Sequence, residues 1–241
     1  MMNRVLVLSM VCLAASPIAL AQEPADLGSV SEELAGLDLW FGMYLQTKSL
    51  GSFHYEVDPE GDGLRIVCHG KLEFGEMKNS TDSVLVTGPD FEIRSFSSHE
   101  EEGTEVTDVT WTPTGDGKIA WKKVTYESSA PDKKKVEEQT FETKPGLITP
   151  EVIMIVVPLF DWSEGKALTL SSISDDGEMK DAVVSWVGTA EVAPRGTPVA
   201  VTQVKAVKEK AGKEETFLFS ISGGAAVQIE MVGQPVRLVP G

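Results

Sequence analysis

The chain has 241 residues, 41% of them hydrophobic, and a formal net charge of −16 at pH 7. That size and apolar content suffice to bury a core without cross-links. The acidic balance excludes a general affinity for phosphate backbones or anionic lipid surfaces, which requires a basic footprint.

Met1 to Ala21 carries one charged residue, Arg4, then an apolar core from Val5 to Leu13 and a terminal Ala19-Leu20-Ala21. A charged start, a short apolar middle and an Ala-x-Ala end form the pattern of a secretory signal peptide. The pattern predicts cleavage between Ala21 and Gln22, a periplasmic or secreted location, and one β-rich domain over 22–241. The apolar stretch is shorter than the ~20 residues that span a bilayer, and Pro17 interrupts it. Cys12 follows Val11, whereas a lipoprotein signal places Gly, Ala or Ser before its cysteine. Because the leader holds one basic and no acidic residue, its removal leaves 220 residues with a charge of −17. No later segment is apolar over a span length, so no transmembrane segment is expected.

Cys68 then stands alone, which excludes an intramolecular disulfide in an oxidising compartment. It shares its strand phase with Leu64, Ile66 and Leu72 and reads as a small buried hydrophobe, not a reactive thiol.

Along the chain, Ser31-Glu32-Glu33-Leu34 predicts a short helix with Ser31 as its N-cap. From Leu39 the period changes to two. Phe53, Tyr55 and Val57 alternate with His54 and Glu56, and after the turn residues 58–63 Leu64, Ile66 and Cys68 alternate with Arg65 and His69. Strands are also predicted at Thr81–Thr87, Phe91–Ser97, Glu105–Trp111, Lys118–Tyr126 and Val136–Thr143. A second block follows at Ala167–Ile173, Asp181–Val192, Val199–Lys208, Thr216–Ser222, Ala225–Met231 and Val236–Val239. Between the blocks, Thr149-Pro150-Glu151 gives cap signals ahead of the apolar run 152–157, and Pro158 closes it. The cap signals predict a short buried plug helix near 150–159, whereas the β-branched side chains would also suit a buried strand. Short strands at regular spacing predict an all-β, mainly antiparallel fold: a curved sheet, open barrel or sandwich.

Motifs that would carry chemistry are incomplete. Asp58, Glu60, Asp62 and Gly63 resemble the start of a calcium loop, but its twelfth position, which needs a bidentate Glu, is His69. Asp175-Asp176-Gly177-Glu178 has the same weakness. His54, His69 and His99 lack the close spacing of metal ligands. A hairpin would set His54 opposite His69 beside Glu56, yet both histidines fall on the polar strand phase, so no metal or other cofactor is expected. No Gly-x-Ser-x-Gly elbow occurs. Ser163-Glu164-Gly165-Lys166 has the Ser-x-x-Lys spacing of penicillin-interacting enzymes without their Ser-Asp-Asn and Lys-Thr-Gly elements. The run from His99 through Glu102 before Gly103 reads as a solvated loop. No catalytic residue is assigned.

The remaining signal is aromatic. Trp40, Tyr44, Phe53, Tyr55, Trp111, Trp121 and Trp186 either fill the core or line a cavity for a small hydrophobic ligand, as unfilled barrels do. The segment Trp40 through Gly51 resembles the opening hairpin of a group of uncharacterised exported bacterial proteins, with an aromatic first strand and a Lys-x-x-Gly turn. The apolar element Thr149–Phe160 and the strand end at Ala190-Glu191 before Gly196 fit as well. Such proteins are similar in plan to the Lol-type lipoprotein carriers, whose curved sheet and helical plug enclose an acyl-chain site. That resemblance implies a non-catalytic, exported binding protein for a hydrophobic or lipid-like ligand. The alternatives are an envelope interaction or scaffold protein with a filled core, whose partner is an envelope protein, and a hydrolase of unknown substrate.

Overall fold

Period-two patterning over most of the chain leaves each strand with one apolar side, and such strands bury that side only by joining a common sheet. The computed structural model describes residues 23–75, 77–143, 146–173, 177–210 and 213–241. The predicted signal peptide, its Ala21/Gln22 cleavage point and the Asp175-Asp176 pair lie outside them.

Two antiparallel meanders make up the sheet. The first comprises β2 (Asp38–Leu45), β3 (Lys48–Glu60), β4 (Gly63–Phe74), β5 (Met77–Thr87), β6 (Ile93–Glu102), β7 (Glu105–Pro113), β8 (Lys118–Glu127) and β9 (Lys135–Glu142). The second comprises β11 (Ala167–Ile173), β12 (Met179–Val192), β13 (Val199–Lys210), β14 (Lys213–Ser222), β15 (Ala225–Met231) and β16 (Val236–Pro240). The last strand of the second pairs antiparallel with the first strand of the first, Leu238 opposite Met43, and so joins the meanders into one open, curved sheet. Two short parallel strands, β1 (Glu23–Pro24) and β10 (Leu147–Ile148), cover the outer edge of β11.

Curvature brings distant strands together. A Cβ on Gly177, just before β12, would run into the Gln139 side chain of β9 and lie 3.2 Å from the Trp121 ring of β8. The inner face is lined by Phe41, Tyr55, Val57, Ile66, Leu85, Trp111 and Trp121 from the first meander and by Leu170, Val184, Val204, Phe219 and Ile229 from the second. All belong to one core cluster. It is completed by helix α1 (Gly28–Leu34), which contributes Val30 and Leu34, and by the plug. The plug is a single α-turn, α2 (Ile153–Val156), continued by a 3-10 turn over Val157–Leu159. Its run is apolar all round because it is packed all round: Val152, Ile155, Val156 and Val157 are buried. The Thr149 carbonyl accepts the Val152 N–H at 3.1 Å, and the Trp162 indole N–H donates to the Val157 carbonyl at 2.8 Å, fixing both ends.

Three local expectations shift. The first helix begins at Gly28, so Ser31 lies within it; the Asp26 carboxylate accepts the Ser29 N–H at its start. Phe91 precedes its strand instead of opening it, with φ 55°, and its ring is fully buried. Residues 99–102 belong to β6 and are not a loop: pairing with β5 and β7 continues to Glu102 because Gly103 supplies the turn.

Aromatic residues with the same chemistry therefore carry very different loads. Replacing Trp111, fully buried and 4.1 Å from Phe96 between ring centroids, with Ala is expected to cost about 3–5 kcal/mol. Trp40→Ala, at a ring 51% exposed, is expected to cost about 1 kcal/mol or less. Urea denaturation of the two variants checks the contrast.

Candidate functional site

A pocket opens on the inner face where the sheet is lined by small residues. Ala182 on β12 and Ala206 on β13 occupy inward positions that are otherwise filled by Val184 and Val204. They are diagonal neighbours, because Ala182 pairs with Lys208 and Ala206 with Val184. The missing side-chain volume is bounded on one side by Phe217 and Phe219 of β14 and on the other by Pro150, Ile153 and Met154 of the plug. Phe53 of β3 reaches it from the far meander, an approach that only the curvature allows. The resulting cavity is about 210 Å³ and is lined mainly by apolar atoms.

Polar groups stand at its margins. Lys208 on β13 faces Glu215 on β14 with Nζ 3.5 Å from the carboxylate, and its ammonium lies 5.2 Å from the Phe217 ring centroid. Glu151 lines the opposite side, half-buried, with no ion-pair partner among the described residues. Behind the plug, the Tyr55 hydroxyl donates to Met154 Sδ at 3.8 Å. Burial, with Cys68 and Glu151 adding to it, holds that phenol neutral well above its ordinary range. Burial also pushes the Cys68 thiol up to about 12, with the Glu151 charge adding to it. Neither group is poised as a nucleophile; both are neutral and buried.

The structure separates the aromatics named from sequence. Phe53 lines the pocket. Tyr55, Trp111 and Trp121 are buried in the core, and Trp186 is half-buried on β12. Trp40 and Tyr44 stand apart from the pocket: Trp40 is stacked on His54 at 3.9 Å and 10°, and Tyr44 lies over Gly42. Sequence reasoning missed Ala182, Ala206, Glu151 and Lys208. The available signal was an alanine or a lysine on the inward phase of a strand, and an acid opening an otherwise apolar turn.

The outer face carries a second cluster. Trp40, His54, His69, Asp82, His99 and Asp108 are directly opposite one another on successive strands from β2 to β7. Each histidine has a carboxylate partner: His54 Nε2 to Asp38 at 2.7 Å, His69 Nδ1 to Asp82 at 2.5 Å, and His99 Nδ1 to Asp108 at 2.7 Å. Among the described residues, no three His, Cys, Asp or Glu side chains converge as metal ligands. His54 and His99 each have a second carboxylate farther off, Glu56 at 3.6 Å and Glu101 at 3.4 Å. Nor do Ser163 and Lys166 form a nucleophile–base pair, since the Lys166 ammonium donates to the Asp161 carbonyl. No helix among the described residues is long and apolar enough to cross a membrane.

Two outcomes follow from these environments. Cys68 in the folded protein should resist iodoacetamide at pH 8, where a thiol with a pKa of about 12 is about one part in ten thousand thiolate, and should react once urea unfolds the chain. His99 has its pKa raised, chiefly by its hydrogen bond to Asp108 and then by Glu101. Its contribution is therefore complete below the unfolded value of about 6.5 and disappears as pH rises through the raised folded value. His99→Gln should cost more stability in acid than in alkali. With a side chain 43% exposed, the difference is expected to be about 0.5 kcal/mol, read by denaturation at two pH values.

No protein-family profile matches this chain, and no curated protein matches it. Two solved structures are similar to it, each at 11% identity and each covering 86% of this chain and 94% of the other. One is a Bacteroides fragilis protein classed as exported, with a YmcC-like fold, at a TM-score of 0.30. The other is a Parabacteroides distasonis protein classed as a lipoprotein, at a TM-score of 0.32.

Proposed function

We propose that this is an exported, non-catalytic binding protein that takes one short hydrophobic chain into the pocket between the plug and β12–β14. The observation that carries this reading is the apolar cavity of about 210 Å³ at Ala182 and Ala206. It exceeds the ~150 Å³ cavity that admits benzene and falls below the ~300–1,000 Å³ typical of drug-sized ligands. The volume supports a single short aliphatic chain, not a cargo with several acyl chains. Export rests on the leader pattern of residues 1–21. The curved sheet with its plug also agrees with the plan of the Lol-type carriers, on a smaller ligand.

The filled remainder of the inner face favours a second reading, an envelope interaction protein with a solid core. Trp111, Phe91, Leu147 and Val156 are all but completely buried there. The two readings part on one measurement. Calorimetric titration of the purified protein with 1-octanol should show saturable binding that weakens by about tenfold or more in Ala206→Trp, whose indole occupies the hollow. Trp40→Ala, on the outer face, should bind like the parent. No saturable binding, or equal affinity in Ala206→Trp, would overturn the pocket reading.

A further inference from the structure

The rim of the pocket holds more information than its lining. Two charged side chains line it, Lys208 on β13 and Glu151 across the cavity on the plug, and Glu215 on β14 stands opposite Lys208. The only base among them is already committed. Lys208 Nζ is 3.5 Å from the Glu215 carboxylate, both side chains are about a quarter exposed, and the ammonium also rests against the Phe217 ring. Glu151 has no ionic partner among the described residues. With Lys208 balanced by Glu215, the charge left over among these three side chains is the Glu151 carboxylate beside an apolar cavity.

From this arrangement we infer that the ligand of the pocket is a cationic amphiphile, an alkylamine or alkylammonium, whose chain fills the cavity while its head meets Glu151. The inference rests on the pocket reading above. An anionic head would have to displace Glu215 from Lys208 and lie against Glu151, two unfavourable changes. A cationic head meets an unpaired carboxylate and leaves the Lys208–Glu215 pair intact. Interactions at a half-buried site are stronger than in bulk water because the protein side of the rim is less polarisable. The net charge of −16 acts in the same direction, though salt screens its distant part.

Three eight-carbon probes separate the chain from the head: octyltrimethylammonium, 1-octanol and octanoate, titrated calorimetrically at matched ionic strength. The expected order is cation, then alcohol, then anion, with the cation about tenfold or more tighter than the anion. In Glu151→Gln the cation-to-anion ratio should fall towards one. In Lys208→Gln, which frees Glu215, it should rise. Glu138→Gln, which removes the same charge from the exposed strand β9, should leave the ratio as in the parent and so separates the local carboxylate from the overall field. Octanol binding with octanoate equal to or tighter than the cation would overturn the charge assignment and leave the pocket reading standing. So would a ratio that Glu151→Gln does not change. If none of the three probes binds, the pocket reading fails and this inference with it.

Discussion

Burial of the inner sheet face beneath the segment from Thr149 to Phe160 is the interaction on which the rest of the structure depends. A sheet this wide, curved and open has an apolar face too large to leave in water, and no disulfide helps to hold it, since Cys68 is the one cysteine among the described residues and is free. The plug answers this with one α-turn and one 3-10 turn in which Ile153, Ile155, Val156, Val157 and Pro158 are buried. A single helical turn has almost no stability of its own. It is held by packing, by the Thr149 carbonyl at one end and by the Trp162 indole at the other.

The same constraint explains why the site lies where it does. Elsewhere the plug packs against α1 and β15, with Val30, Leu34 and Ile229 in the same core cluster. Where Ala182 and Ala206 stand on adjacent strands, the plug spans a hollow that it cannot fill, because its backbone is fixed by the better-packed remainder. The pocket is a local shortfall of volume in a densely packed core. The charges at its rim, Lys208 paired with Glu215 and Glu151 with no ionic partner among the described residues, lie where the inner face begins to meet solvent.

The outer face follows a different logic. Its ladder of Trp40, three histidines and two aspartates arises from register: six strands in sequence place these residues in one row. In sequence they are tens of residues apart and show no ligand spacing. Pairing with a carboxylate satisfies a ring nitrogen of each imidazole, from exposed His69 to buried His54, which also stacks on Trp40.

The strands and the shared phase of Tyr55 and Val57, and of Leu64, Ile66 and Cys68, were legible in the sequence, because period-two alternation and Gly-rich turns are local signals. It also located the plug, where the cap signals and Pro158 argued for a helix against a β-branched apolar run that would equally suit a buried strand. It misplaced the start of the first helix and the ends of β6, where one hydrogen bond or one left-handed residue decides the boundary. Only the tertiary structure decided that β16 joins β2, that the two meanders form one sheet, and that Phe53, Glu151, Ala182 and Lys208 share a site. These are long-range pairings set by curvature and by the fit of the plug. A pocket made by small residues has no local pattern, since an alanine on the inner face looks like any other core position until the opposing wall is in place.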